Sequence, residues 1–78
     1  MDEILFTRQI NERQTDAFCR LFKDFFDSLL CFATGYVECK EVAEDVVQEV
    51  FVDIWEGKMK FRSYNSLKTF LYTSVRNA

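Results

Sequence analysis

The chain predicts an all-α fold, a small bundle of three to four helices, on three observations. Apolar residues recur three and four apart over long stretches, the spacing of one helical face. The 78 residues include no proline and only two glycines, Gly35 and Gly57, so little interrupts a long helix. The widest apolar stripe carries aromatics on more than one side and needs several neighbours, which a hairpin of two helices does not supply. A chain this short makes one domain, residues 1–78, whose core supplies only a few kcal/mol.

Taken in order, residues 1–10 are a short helical candidate. Asp2 and Glu3 suit the positive end of a helix dipole, and Ile4, Leu5 and Ile10 can touch the body. Residues 11–16, NERQTD, read as a polar turn, with Asn11 or Thr15 as the N-cap of the second helix. Residues 17–36 form the long helix. Phe18, Leu21, Phe22, Phe25, Leu29, Phe32, Ala33 and Tyr36 share a stripe that Phe26 and Leu30 widen. Such an aromatic stripe is core and carries no functional weight. Gly35 stands near its end, where a helix stops.

Residues 37–40 connect to the central helix, residues 41–56, EVAEDVVQEVFVDIWE. Val42, Ala43, Val46, Val47, Val50, Phe51 and Ile54 keep a helical period. The polar pairs Glu44-Asp45 and Gln48-Glu49 break the alternation that a strand would need. Gly57 closes this helix. Residues 58–65, KMKFRSYN, are a basic loop with two aromatics, and Ser63, Asn65 or Ser66 can cap a last helix from Leu67 onward. There Leu67, Phe70, Leu71 and Ser74 form the inward face. Lys68, Thr69, Tyr72, Thr73 and Arg76 form the opposite stripe, with Asn77 beside it. The pattern is still running at Ala78, as in a truncated helix of a longer protein.

Composition narrows the function. Cys19, Cys31 and Cys39 are odd in number and make no CxxC pair, and there is no histidine, so neither a transition-metal site nor a cofactor is expected. The cysteines suit a reducing cytosol, with Cys19 and Cys31 as small core residues. No signal peptide or membrane-spanning run is apparent, so a soluble, cytoplasmic and monomeric protein is expected. An enzyme is not. There is no Gly-rich phosphate loop and no nucleophile–base pair, and the carboxylates are too many and too exposed by pattern to be tuned catalysts.

The net charge of −3 hides a division. Residues 38–56 hold seven acids (Glu38, Glu41, Glu44, Asp45, Glu49, Asp53, Glu56) against Lys40 alone, whereas residues 57–78 hold five bases (Lys58, Lys60, Arg62, Lys68, Arg76) and no acid. Two partners of opposite charge are suggested. On the central helix, Asp45, Gln48, Glu49, Val52 and Trp55 lie three and four apart. This stripe is either a solvated face with the indole tucked into the core, or a docking surface for a basic partner helix. On the basic end, cations with Tyr, Phe and Asn suit single-stranded nucleic acid, in which phosphates are neutralised, bases stack and amides read base edges. An ordinary solvated basic face is the plainer reading.

At these residues a family becomes visible. AEDVVQEVFVDIWE, then a basic loop and SLKTFLYTSVRNA, resembles region 2 of a bacterial sigma factor of the extracytoplasmic-function group in the sigma-70 family. QTDAFCRLFKDFFDSLLCFATGYV resembles the first long helix of that region. The resemblance covers essentially the whole chain and implies a transcription initiation factor rather than an enzyme. It implies that Asp45, Gln48 and Glu49 dock on the clamp helices of the RNA polymerase β′ subunit, with Phe51 and Trp55 supporting that contact beside Val52. It further implies that residues 58–78 recognise and melt the promoter minus-ten element. Phe61 and Asn77 match positions that hold a base flipped from the non-template strand, and Phe70, Tyr72 and Arg76 fall on or beside the strand-separating segment. Arg62, Lys68 and Thr73 belong to the same surface. Trp or Tyr is common in that segment among relatives, and Phe70 stands in its place. The family's second domain, region 4, which reads the minus-thirty-five element, has no counterpart here, so an isolated region 2 is expected. An anti-sigma factor is an expected partner by resemblance. The rival is a small helical protein–protein interaction module with an acidic docking face and no DNA role. A helix-turn-helix duplex binder would have to accommodate an acidic helix at its centre.

Overall fold

Asp2 starts the chain's first helix, its carboxylate accepting from the Ile4 and Leu5 N–H groups at 3.0 and 3.2 Å. In this computed structural model, which describes residues 2–57 and 59–78, four helices succeed one another: α1 (Glu3–Asn11), α2 (Thr15–Ala33), α3 (Lys40–Trp55) and α4 (Tyr64–Arg76). Among the described residues there is no strand, and none of the helices is long and apolar enough to cross a membrane. Helix α2 touches the other three and is the spine of the bundle.

One core holds the helices together. Leu21 and Leu29 from α2, Ala43 and Val47 from α3, and Leu67 and Leu71 from α4 are fully buried, and Phe6 and Ile10 of α1 close one side. Each leucine taken out of water contributes roughly 1.5–3 kcal/mol. The period of α3 places Ala43, Val47, Val50, Phe51 and Ile54 inside, while Val42 stays outside.

Several expectations from sequence are corrected. In α1, Phe6 and Thr7 are buried, whereas Ile4 is 82% exposed and Leu5 also faces solvent, because the helix begins at Glu3 and its contact face is rotated accordingly. Helix α2 begins at Thr15 rather than Ala17, and Gln14 occupies the N-cap without a side-chain bond, so neither Asn11 nor Thr15 caps it. It ends at Ala33, before Tyr36, which is exposed. Cys19 and Cys31 are exposed rather than core, since they sit beside the buried Ala17–Leu21–Phe25–Leu29–Ala33 row and not on it. Helix α4 starts at Tyr64, three residues earlier than Leu67. The Ser63 hydroxyl caps it by accepting from the Ser66 N–H at 3.1 Å. Its inward row is Leu67, Leu71 and Val75. Phe70 and Ser74 are only half-buried, and Tyr72 leans back onto Phe32 with ring centroids 5.1 Å apart. Lys58, part of the basic loop by sequence, lies outside the described residues.

Two turns on one side of the bundle interlock. After α1 the chain reverses with Gln14 N–H donating to Gln9 O and Arg13 N–H to Ile10 O, and Arg13 takes the left-handed conformation at φ 56°. After α3, Gly57 is left-handed at φ 70°, and the Arg13 side chain lies over it. A Cβ on Gly57 would stand 2.5 Å from Arg13 Nη1, displacing the guanidinium that donates to Glu56 O at 3.1 Å. Gly57→Ala is therefore expected to destabilise the domain by about 1–2 kcal/mol, read by urea unfolding.

Candidate docking and nucleic-acid surfaces

The face of α3 turned away from the core carries Asp45, Gln48, Glu49 and Val52, all exposed. Trp55 is 41% exposed, so the indole is not tucked into the core. Glu41, Asp45, Glu49 and Asp53 stand four apart, which brings like charges together turn after turn. Each such pair disfavours an isolated helix by roughly 0.2–0.5 kcal/mol. Helix α3 also has no base in its last turn, where the dipole favours a cation. Among the described residues no basic side chain pairs with Asp45 or Glu49. These placements cost the folded domain stability, and a cationic partner would offset them. At the N-terminus of α3 the Cys39 thiol donates to Glu41 at 2.9 Å, which, with a backbone hydrogen bond and Lys40, holds that carboxyl below its usual value.

Beside the acids lies an apolar groove of about 490 Å³ between α2 and α3, lined by Thr15, Phe18, Phe22, Gln48, Phe51, Val52 and Trp55. Its rings are linked in series. Phe26 stacks on Phe22 at 4.8 Å, Phe22 meets Phe51 at 4.9 Å, and Phe18 sits between Phe51 and Trp55, 4.9 Å from the indole. Phe22 is 37% exposed and Val52 49%. Phe51, a docking residue by resemblance, is 2% exposed and forms the floor. Its position on the core row leaves it almost no side-chain surface to offer a partner directly. Phe18 and Phe22, core by sequence pattern, instead form the α2 wall of the groove. A signal for this exists in the sequence: a stripe that includes Phe18, Phe22, Phe25 and Phe26 is too wide for both its edges to be covered.

The second surface is α4 with the loop before it. Asn65, Ser66, Thr69, Phe70, Thr73, Ser74 and Asn77 line a shallow groove, and Asn65, Lys68, Thr69 and Tyr72 line its neighbour. The structure thus brings Phe70, Thr73 and Asn77 together, and Lys68 with Tyr72, with Asn65 and Thr69 shared between the two. Phe61 and Arg62 lie across Asn65 in a further depression against α1, and the Phe61 ring meets Phe70 at 5.4 Å. Arg76 is exposed in the last turn of α4 and lines neither groove. Among the described residues, no ion pair holds Arg62, Lys68 or Arg76, and no side-chain hydrogen bond holds Asn65, Thr69, Thr73 or Asn77. Lys60 differs: its ammonium donates to the Asn11 carbonyl. By sequence Asn65 is only a cap candidate and Thr69 a stripe member, because the adjacency of three depressions around Asn65 is a tertiary fact. Burial, aided by the carboxylates of Glu3 and Asp24, raises the Tyr64 phenol above its usual value.

Among the described residues, no group of three or more His, Cys, Asp and Glu is placed to hold a metal ion. What the arrangement offers is two surfaces of opposite character, one acidic with an aromatic floor, the other basic with amides, hydroxyls and rings.

Comparison with known proteins gives the family. The family model for sigma-70 region 2 matches residues 21–78. The chain is 28% identical over 61 residues to the RNA polymerase sigma factor YlaC of Bacillus subtilis, an alignment covering 78% of this chain and 35% of that protein. The chain therefore spans about a third of the length of the curated relative it matches. No solved structure gives a significant match.

Proposed function

The chain belongs to the sigma-70 region 2 family, a family of transcription initiation factors, and on that premise we propose that it recruits RNA polymerase through one surface and opens promoter DNA with the other. In this reading the domain is of the extracytoplasmic-function type. The acids and aromatic groove of α2 and α3 take the β′ clamp helices, with Asp45 and Glu49 facing cations and Trp55 and Val52 packing on the partner's apolar stems. The α4 grooves and the loop before them take the non-template strand of the minus-ten element. An anti-sigma factor competing for the α2–α3 face would silence the domain.

The observation that carries the reading is the segregation of charge: like charges are stacked along α3 at a cost to the helix, and cations and amides are gathered along α4. Opening a duplex costs a few kcal/mol for each base unpaired and unstacked. Stacking of an extruded base on Phe61 or Phe70 offsets roughly 1–3 kcal/mol of that. The Asn77 amide, at the C-cap of α4, supplies a donor and an acceptor to a base edge. Phosphates lie toward Arg62, Lys68 and Arg76, so strand affinity falls as salt rises. No nucleotide is hydrolysed by this domain, and bond formation belongs to the polymerase.

Asn77→Ala is expected to weaken binding of minus-ten single strand by about 1–3 kcal/mol, with binding to a β′ clamp-helix fragment unchanged. Phe61→Ala should behave the same way. Anisotropy titrations of both ligands decide it. Loss of neither, with the domain folded, favours an interaction module without a DNA role.

A further inference from the structure

The last residue of α1 makes the most complete long-range polar contact among the described residues. Asn11 Nδ2 donates to Phe61 O at 2.8 Å, and its Oδ1 accepts from Phe61 N–H at 2.8 Å, across 50 positions of sequence. Both backbone groups of one residue are thereby taken by one side chain, as they would be by a neighbouring strand. The Asn11 carbonyl accepts from Lys60, and two residues on, Arg13 donates to Glu56 O at 3.1 Å. The turn after α1 thus grips the α3–α4 loop at both ends, Glu56 and Phe61. Only an asparagine suits the central position. A carboxylate has no donor for Phe61 O, glutamine is one methylene longer, and serine is shorter and brings one atom where the amide brings a separate donor and acceptor.

We infer that Asn11 is a positioning residue for strand binding, holding the Phe61 backbone so that the ring stands ready beside Phe70 before any DNA arrives; this rests on the reading of the α4 surface as the strand-binding one. Two observations separate this from simple stabilisation of the fold. Asn11 and Phe61 are only half-buried, and the contact lies at the rim of the bundle rather than among the fully buried leucines. The Phe61 ring also reaches the rim of the α4 groove, through Phe70. The family match begins at residue 21, so the grip comes from outside the matched stretch. A loop ordered in advance binds more tightly than one that must be ordered on binding.

The test uses the whole chain with Asn11→Asp and Asn11→Ala. Asn11→Asp keeps the acceptor for the Phe61 N–H and sets a carboxylate oxygen against Phe61 O. Two fluorescent probes are titrated, a randomised short single-stranded DNA pool and a β′ clamp-helix fragment, with circular dichroism confirming the fold. Expected is a strand affinity roughly tenfold weaker in both variants, the cost of ordering about one residue's backbone, with clamp-helix affinity unchanged. Amide exchange at Phe61, whose N–H donates to Asn11 Oδ1 at 2.8 Å, should accelerate in both relative to the native chain. Variants that bind strand as well as the native chain, or that lose both ligands equally, overturn the inference and leave the functional reading standing. A native chain that binds no strand overturns the functional reading and the inference with it.

Discussion

Phe51→Ala is expected to destabilise the domain by about 3–5 kcal/mol, measured by urea unfolding. The ring is 2% exposed and touches Phe18 and Phe22 on α2, so its removal leaves a cavity that two helices must close around. For a domain this small, whose core supplies only a few kcal/mol, that is most of its stability. Trp55→Ala makes the contrast. The indole is 41% exposed and rests on the Phe18 ring, so its truncation should cost about 1 kcal/mol. If the two variants were equally stable, Phe51 would not be the floor on which the groove stands.

The second large effect is on binding. A Gln48→Ala, Glu49→Lys double variant is expected to lose roughly 2 kcal/mol or more of affinity for the β′ clamp helices, about 30-fold, because a cation then faces the partner's cations. The same change should leave the fold intact. Both side chains are exposed, and a lysine at position 49 stands four residues from Asp45 and from Asp53, replacing two repulsive pairs with two attractive ones. A variant at least as stable as the native chain yet deficient in docking would mark the acids as serving the partner rather than the helix. The native affinity should also fall with added salt, as expected where exposed charges contribute.

Most of the fold is legible in the sequence because it rests on local rules. The period of α3 follows from Ala43, Val47, Val50 and Ile54 and its end from Gly57; for α4 the cap, Ser63, is only one of three candidates and the start lies three residues before the expected Leu67. Legibility fails where tertiary contact decides. Asn11 resembles an N-cap because its side chain suits one, but its amide is engaged by a backbone 50 residues away. Cys19 and Cys31 look internal because their neighbours in sequence are apolar, although their own angular position on α2 faces outward. The acids of α3 and the bases of residues 57–78 can be read directly, since charge segregation is a property of sequence. The width of the α2 stripe signals that one edge stays uncovered, but that the uncovered edge is Phe18 and Phe22 is decided only once α3 is in place.

The most direct measurement is a titration of the native domain with a β′ clamp-helix fragment, with its fold verified in the same sample. Micromolar or tighter binding, lost in the Gln48→Ala, Glu49→Lys variant, is the expected result and would assign the polymerase contact to α2 and α3. A folded domain that does not bind the clamp helices would contradict that assignment and leave the acidic face to some other basic partner.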